Sequence, residues 1–319
     1  MANRYELPQE VIFPVGKTGD SDVNLCWAAS LSSVLWQSGW ADDTIVYGTE
    51  ETTDPATGAT TTTELKFSSA NDVFNYYKDC FSNKTGYGYF GADWFFSGEY
   101  PVAFAGAENT KWGGGFRKTV NYGDYAFWLP SFNTAQLGAI WPDLSPVSAT
   151  ATEEDEPTKI PNYGGVIGGL YITNAGSNGY FPSIENAENV VSKHELVVVG
   201  YETGGDHSEA FNIKEPLSND MGSFPTSTVA NPRYVTGFYL IDPDDGLTTT
   251  DEEGAETRTE PEPFWVYAKY YPDLRAFRLK PEQTKASWKN SEYFLTDFFF
   301  LLKNPNGQGF VNQTEETTQ

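Results

Sequence analysis

The chain is short of the residues that carry most enzymatic chemistry. Of its 319 residues only two are His, two are Cys and two are Met. A reaction that needs an imidazole or a thiol therefore has very few places to occur. Basic residues are scarce as well: 20 Lys and Arg stand against 44 Asp and Glu, for a net charge of −24 and a pI near 4.3. That charge argues against a nucleic-acid backbone or an anionic membrane as the main partner, because both would be repelled. No apolar run approaches the ~18 residues a membrane-spanning helix needs, and the run from Phe298 to Leu302 stops at Lys303. The opening residues, Met1 to Glu6, show no apolar core of a signal peptide. That start fits either a cytoplasmic protein or a mature secreted form, and the acidic, aromatic-rich composition with few lysines favours a secreted or cell-surface protein. Two cysteines cannot build a disulfide framework, and Cys26 and Cys80, 54 residues apart, match no zinc-ligand spacing. They are either one bridge or buried thiols.

What the chain does have is aromatic mass. Phe, Tyr and Trp number 22, 19 and 9, and 39% of residues are hydrophobic, which is too rich for a disordered chain. After an extended, proline-containing lead-in from Glu6 to Val15, Asn24 is placed to cap a helix. Ala28, Leu31, Val34 and Leu35 follow at helical spacing, and Gly39 is a stop. A second helix is predicted from Ser69 to Phe81, with Val73, Phe74, Tyr77 and Phe81 on one side. The Thr-rich stretch Thr49 to Thr63 reads as an exposed loop, and the Gly/aromatic stretch Gly86 to Phe132 as short segments and turns.

The second half reads as strands at Val166–Thr173, Glu195–Glu202, Arg233–Ile241, Pro263–Lys269 and Glu292–Leu302. Two acidic stretches interrupt them: Glu153 to Glu156, and the segment from Asp242 to Glu262, which holds nine acids against the single Arg258. Such runs are usually solvated loops. Helices first and strands later predict an α+β architecture in a single domain over 1–319. The helical half lies at about 1–140, the sheet half at about 160–305 and an acidic tail at 306–319.

Asn24-Leu25-Cys26-Trp27-Ala28-Ala29-Ser30 places a thiol in the first turn of a helix. Unpaired backbone N–H groups and the positive dipole end favour thiolate there. A nucleophilic cysteine wants an imidazole to handle its proton. His207 sits in the loop sequence Gly204-Gly205-Asp206-His207-Ser208, whereas His194 stands at the mouth of the apolar strand Glu195 to Tyr201 and is the better base. An orienting acceptor is needed next. The strand ending at Ile241 delivers Asp242, followed by Pro243 and Asp244.

Cys-Trp-Ala-x-Ser opening a helix, followed later by His-x-x-Val-x-Val-Gly-Tyr, resembles the papain-clan pattern in its usual order. The layout is most similar to the IdeS-like immunoglobulin-degrading cysteine endopeptidases. Papain relatives carry a glutamine six positions before the cysteine, where this chain has Asp20. IdeS-like enzymes instead carry a lysine about ten positions before it, and Lys17 lies nine before Cys26. They also use two aspartates two residues apart, matched by Asp242 and Asp244, and the segment Gly113-Gly114-Gly115-Phe116 is similar to one of theirs. Cys80, the long interval from His194 to Asp242, and the Thr-rich and acidic loops depart from that pattern.

The resemblance implies a papain-like fold, a helical N-terminal half packed on a C-terminal antiparallel sheet with the cleft between. It implies catalysis by Cys26, His194 and Asp242, with Lys17 as oxyanion donor and Asp244 supporting it. The substrate would be a protein, immunoglobulins among the candidates, and no metal or organic cofactor is implied. Three rival readings bear stating. Asp242, Asp244, Gly246 and Glu253 faintly suggest a calcium loop, but the glycine falls at the fifth position rather than the sixth and Pro243 intrudes. The clusters Trp27/Trp36/Trp40 and Trp94/Phe95/Phe96 would suit sugar stacking or, more ordinarily, a core. A non-catalytic glycan or host-protein adhesin, or a thiol-dependent amidase or transferase, is the alternative function.

Overall fold

The architecture is that of a computed structural model, which describes residues 2–17, 21–98, 114–116, 126–129, 141, 163–174, 190–211, 235–246, 248–250, 256–271, 276–283, 285, 288 and 291–304. Its strands in chain order are β1 (Asn3–Glu6), β2 (Gly48–Thr53), β3 (Thr60–Leu65), β4 (Ala126–Leu129), β5 (Gly165–Asn174) and β6 (Val190–Thr203). They continue with β7 (Val235–Ile241), β8 (Thr248–Thr250), β9 (Glu256–Arg258), β10 (Phe264–Tyr271), β11 (Ala276–Pro281) and β12 (Ser291–Leu301). The helices are α1 (Cys26–Gln37), α2 (Ala70–Phe81) and α3 (Gly88–Ser97).

Strands β6, β5, β12, β11, β10 and β7 pair in that order, and β7 returns to pair with β6. The result is a closed, six-stranded antiparallel barrel, with β1 added beside β6 and β4 beside β12. This corrects the expected papain-like arrangement of a helical half packed on a sheet. Sheet dominates, and only three α-helices occur among the described residues. The physical reason lies in β6. It is 14 residues long, pairs with β5 along its first part and with β7 from Val197 to Thr203, and shifts register twice against β7. Bulges sharpen the right-handed twist, and a strongly twisted sheet of this width closes on itself and loses its exposed edges.

The five strands expected in the second half are all present, shifted by a few residues at their ends. The Thr-rich stretch is a two-stranded ribbon, β2 with β3, exposed on both faces, as β-branched residues favour extended backbone even without a core to cover. Helix α2 begins where expected. The Ser69 hydroxyl caps the helix by accepting the Asp72 N–H, and the Asp72 carboxylate accepts the N–H of the preceding Ser68 at 2.9 Å. Helix α1 differs from the amphipathic helix expected, since every residue except Trp36 is buried. It lies on the outside of the barrel so closely that a Cβ at Gly165 of β5 would fall 2.2 Å from Val34. Its buried serines stay satisfied by bonding carbonyls: Ser32 to Ala28 at 2.7 Å and Ser33 to Ala29 at 3.2 Å.

The aromatic clusters are core. Trp27 of α1, Tyr77 and Phe81 of α2 and Trp94 of α3 meet with ring centroids 4.9 to 5.6 Å apart, all fully buried. Gly114, Gly115 and Phe116 close the end of α3, where the Gly115 N–H donates to Trp94 O at 2.9 Å and the Phe116 N–H to Phe95 O at 2.8 Å. Gly113 lies outside the described residues, as do Asp20, the acids 153–156 and the segment 306–319. No helix among the described residues is long and apolar enough to cross a membrane.

Candidate active site

Helix α1 starts at Cys26 itself. Leu25 takes the N-cap position without a side-chain bond, and the Asn24 side chain turns away to donate to the Asn83 carbonyl at 3.1 Å. As the first helical residue, Cys26 has a backbone N–H with no acceptor inside the helix. Two hydrogen bonds fasten this end of α1 to β6. The Glu195 N–H donates to Cys26 Sγ at 3.4 Å, and the Ser30 hydroxyl donates to Glu195 O at 3.0 Å. The residue before Glu195 is His194, opposite Leu170 in the ladder with β5. The thiol and the imidazole are thereby carried to one place by a helix end and a strand that share a peptide unit.

The acidic partner comes from the end of β7. Because β7 runs antiparallel to β6 with Ile241 opposite Val197, the residues after Ile241 reach the level of His194. There Pro243 to Asp245 form one 3₁₀ turn. Asp244 Oδ2 lies 3.0 Å from His194 Nδ1, and its other oxygen lies 2.5 Å from Lys17 Nζ. Asp242 does a different job from the one expected. Its Oδ1 accepts the Asp244 N–H at 2.9 Å, and its Oδ2 accepts the Trp288 indole N–H at 2.9 Å. The acceptor on the imidazole is thus Asp244, while Asp242 braces the turn from behind.

Lys17 is 8% exposed, so its charge needs partners. Its ammonium meets Asp244 and the Val23 carbonyl, the latter at 2.5 Å, and its backbone N–H donates to Pro243 O at 2.9 Å. Cys26, His194, Asp244 and Lys17 all line one cleft of about 250 Å³, whose remaining wall includes Asn24, the segment Thr85–Tyr87 and Glu195. The wall 85–87 and Glu195 were not anticipated. A charged residue amid the apolar run of β6 was the available signal for Glu195.

Burial dominates the electrostatics. It pushes the Cys26 thiol up to about 12, against the pull of the Lys17 ammonium and of the Glu195 N–H. Burial thus works against the thiolate that the helix end would favour. Burial also raises Asp242, to about 6, helped by the neighbouring Asp244 and Asp245 carboxylates and opposed by the bonds from Trp288 and the Asp244 N–H. For Asp244 burial would act the same way, but His194 and Lys17 outweigh it and hold the carboxyl below its ordinary value.

The other rare residues stand elsewhere. Cys80 is buried in the core, and neither it nor Cys26 forms a disulfide, so no bridge joins them. His207 is held more firmly than its loop sequence suggests, with Nε2 2.5 Å from Glu202 and its ring stacked 4.0 Å from Tyr267. Glu202 also bonds Arg4 and Thr236, which makes this a separate joint between β1, β6 and β7. Of the suggested calcium loop, Glu253 lies outside the described residues. Among the described ones, no three His, Cys, Asp or Glu side chains are grouped to hold a metal. Compared with protein-family models, with curated proteins and with solved structures, the chain matches none.

Proposed function

We propose that this protein is a cysteine endopeptidase acting through Cys26, His194 and Asp244. The observation that carries the reading is a thiol and an imidazole lining one cleft, with the imidazole Nδ1 on a carboxylate. A carboxylate at Nδ1 keeps the proton there, which leaves Nε2 as the basic nitrogen. Because burial disfavours the thiolate, His194 takes the thiol proton as sulfur attacks the peptide carbonyl. The tetrahedral intermediate collapses to a thioester when the C–N bond breaks and His194 returns the proton to the leaving amine. Water, deprotonated by His194, then hydrolyses the thioester, releases the acid and restores the thiol.

Negative charge on the substrate oxygen would be met by the Cys26 N–H and by Lys17. An ammonium has three donors, and two of those of Lys17 are taken by Val23 and Asp244, leaving one for the oxyanion. A good donor of this kind is worth about 3 kcal/mol. The similarity to IdeS-like endopeptidases supports the same reading through residue order, with Asp244 rather than Asp242 on the histidine. It makes extracellular proteins, immunoglobulins first, the substrates to test. The experiment incubates such proteins with wild type and with Cys26→Ala and reads intact masses. Backbone cleavage by wild type alone is expected. A changed side-chain mass would make it an amidase or transferase, and binding that survives Cys26→Ala without any cleavage would make it an adhesin.

A further inference from the structure

Glu195 is a buried carboxylate on the wall of this cleft, 7% exposed, and the mechanism above does not use its side chain. Its backbone already joins α1 to β6 through the bonds to Cys26 Sγ and from Ser30. Its side chain reaches the other way. Oε2 accepts the N–H of Gly88, the first residue of α3, at 2.7 Å. Helix α3 has Tyr87 at its N-cap with no side-chain cap, so a carboxylate from β6 fills that role and faces the positive end of the helix dipole. The fit is close: a Cβ at Gly88 would stand 2.8 Å from Glu195 Oε2 and 2.8 Å from Ile167.

We propose that Glu195 is a positioning residue that sets the substrate-binding wall Thr85–Tyr87 against the nucleophile by capping α3 from the histidine strand. One residue then ties together the helix of the thiol, the strand of the imidazole and the helix that follows the facing wall. The proposal rests on the peptidase reading for its effect on substrate, but the anchor itself does not. Its charge also acts on the thiol, since the Glu195 carboxylate adds to the forces that keep Cys26 protonated. Removing the charge and removing the acceptor are therefore separable.

Glu195→Gln keeps an oxygen acceptor for the Gly88 N–H and removes the charge, and Glu195→Ala removes both. Three readouts are compared with wild type: hydrogen exchange at the first turn of α3, the pH midpoint of Cys26 alkylation by iodoacetamide, and the KM and kcat for a cleaved protein. Exchange in the first turn of α3 is expected to speed up about fivefold or more in Glu195→Ala and to stay near wild type in Glu195→Gln. The alkylation midpoint moves to lower pH in both variants. KM rises about tenfold in Glu195→Ala, with kcat changed less, and Glu195→Gln recovers most of it. Unchanged exchange and an unchanged midpoint in Glu195→Ala would overturn the proposal, as would a Glu195→Gln variant no better than Glu195→Ala in exchange and KM. If exchange and midpoint move as stated but wild type cleaves nothing, the peptidase reading fails while the anchor stands.

Discussion

His194 Nδ1 and Asp244 Oδ2 lie 3.0 Å apart, and the other oxygen of the same carboxylate holds Lys17 at 2.5 Å. One aspartate thus holds both the imidazole and the ammonium that line the cleft. This predicts that Asp244→Asn lowers kcat by about 10²- to 10⁴-fold, because an amide can no longer hold the proton on Nδ1 and satisfy Lys17 together. Asp242→Asn should lower kcat much less. Steady-state kinetics beside thermal unfolding of both variants checks the assignment, and a larger kcat loss at Asp242 would reverse it.

The thiols differ in surroundings. Cys26 opens on the cleft, while Cys80 is packed in the aromatic core. Iodoacetamide is expected to label Cys26 well before Cys80, with a rate that keeps climbing above neutral pH because burial raises the thiol to about 12. Peptide mapping of partly labelled protein reads this directly, and equal labelling of the two would contradict it.

Lys17→Ala removes both an oxyanion donor and a charge that favours the thiolate. Turnover is expected to fall about 10- to 1,000-fold, and the alkylation midpoint of Cys26 to move to higher pH. A normal rate with a shifted midpoint would limit Lys17 to tuning the thiol.

Asp242 is raised from 3.8 to about 6 in the folded protein, so between those values the native state holds more protons than the unfolded one. Stability from this group therefore falls as pH rises through that window. Asp244 acts oppositely: its carboxyl is depressed, and its contribution is lost as pH falls through its folded value. Unfolding curves for wild type and Asp242→Asn across pH 4 to 7 should converge or diverge accordingly, the variant lacking the falling slope. Trp288→Phe, which leaves Asp242 Oδ2 without its donor, should cost about 1–3 kcal/mol above that window.

Gly165→Ala tests the seat of α1 on the barrel. Its Cβ would fall 2.2 Å from Val34, so destabilisation by about 1–3 kcal/mol or more is expected in chemical denaturation. A neutral substitution would mean that α1 moves freely on β5.

Much of the local structure was legible because it depends on neighbours in the chain. The period of Val73, Phe74, Tyr77 and Phe81 and the apolar run of β6 each declare themselves within a dozen residues. Barrel closure was not legible, because it depends on β6 meeting β7 across a wide sequence gap and on where register slips by one residue. The Gly/aromatic texture around α3 also misled, since Gly88 and Gly91 there serve close packing against Glu195 and Trp27 rather than turns.

The rarity of Cys and His left any thiol–imidazole chemistry only two cysteines and two imidazoles to use, because a side chain that is absent cannot react. Which aspartate meets His194 was decided only in three dimensions. Asp242 and Asp244 are two residues apart and chemically identical, and the 3₁₀ turn sends one toward the imidazole and the other toward Trp288. The environment of the Cys26 thiol was likewise a tertiary outcome: a helix start favours thiolate locally, whereas burial in the folded protein pushes the thiol pKa up.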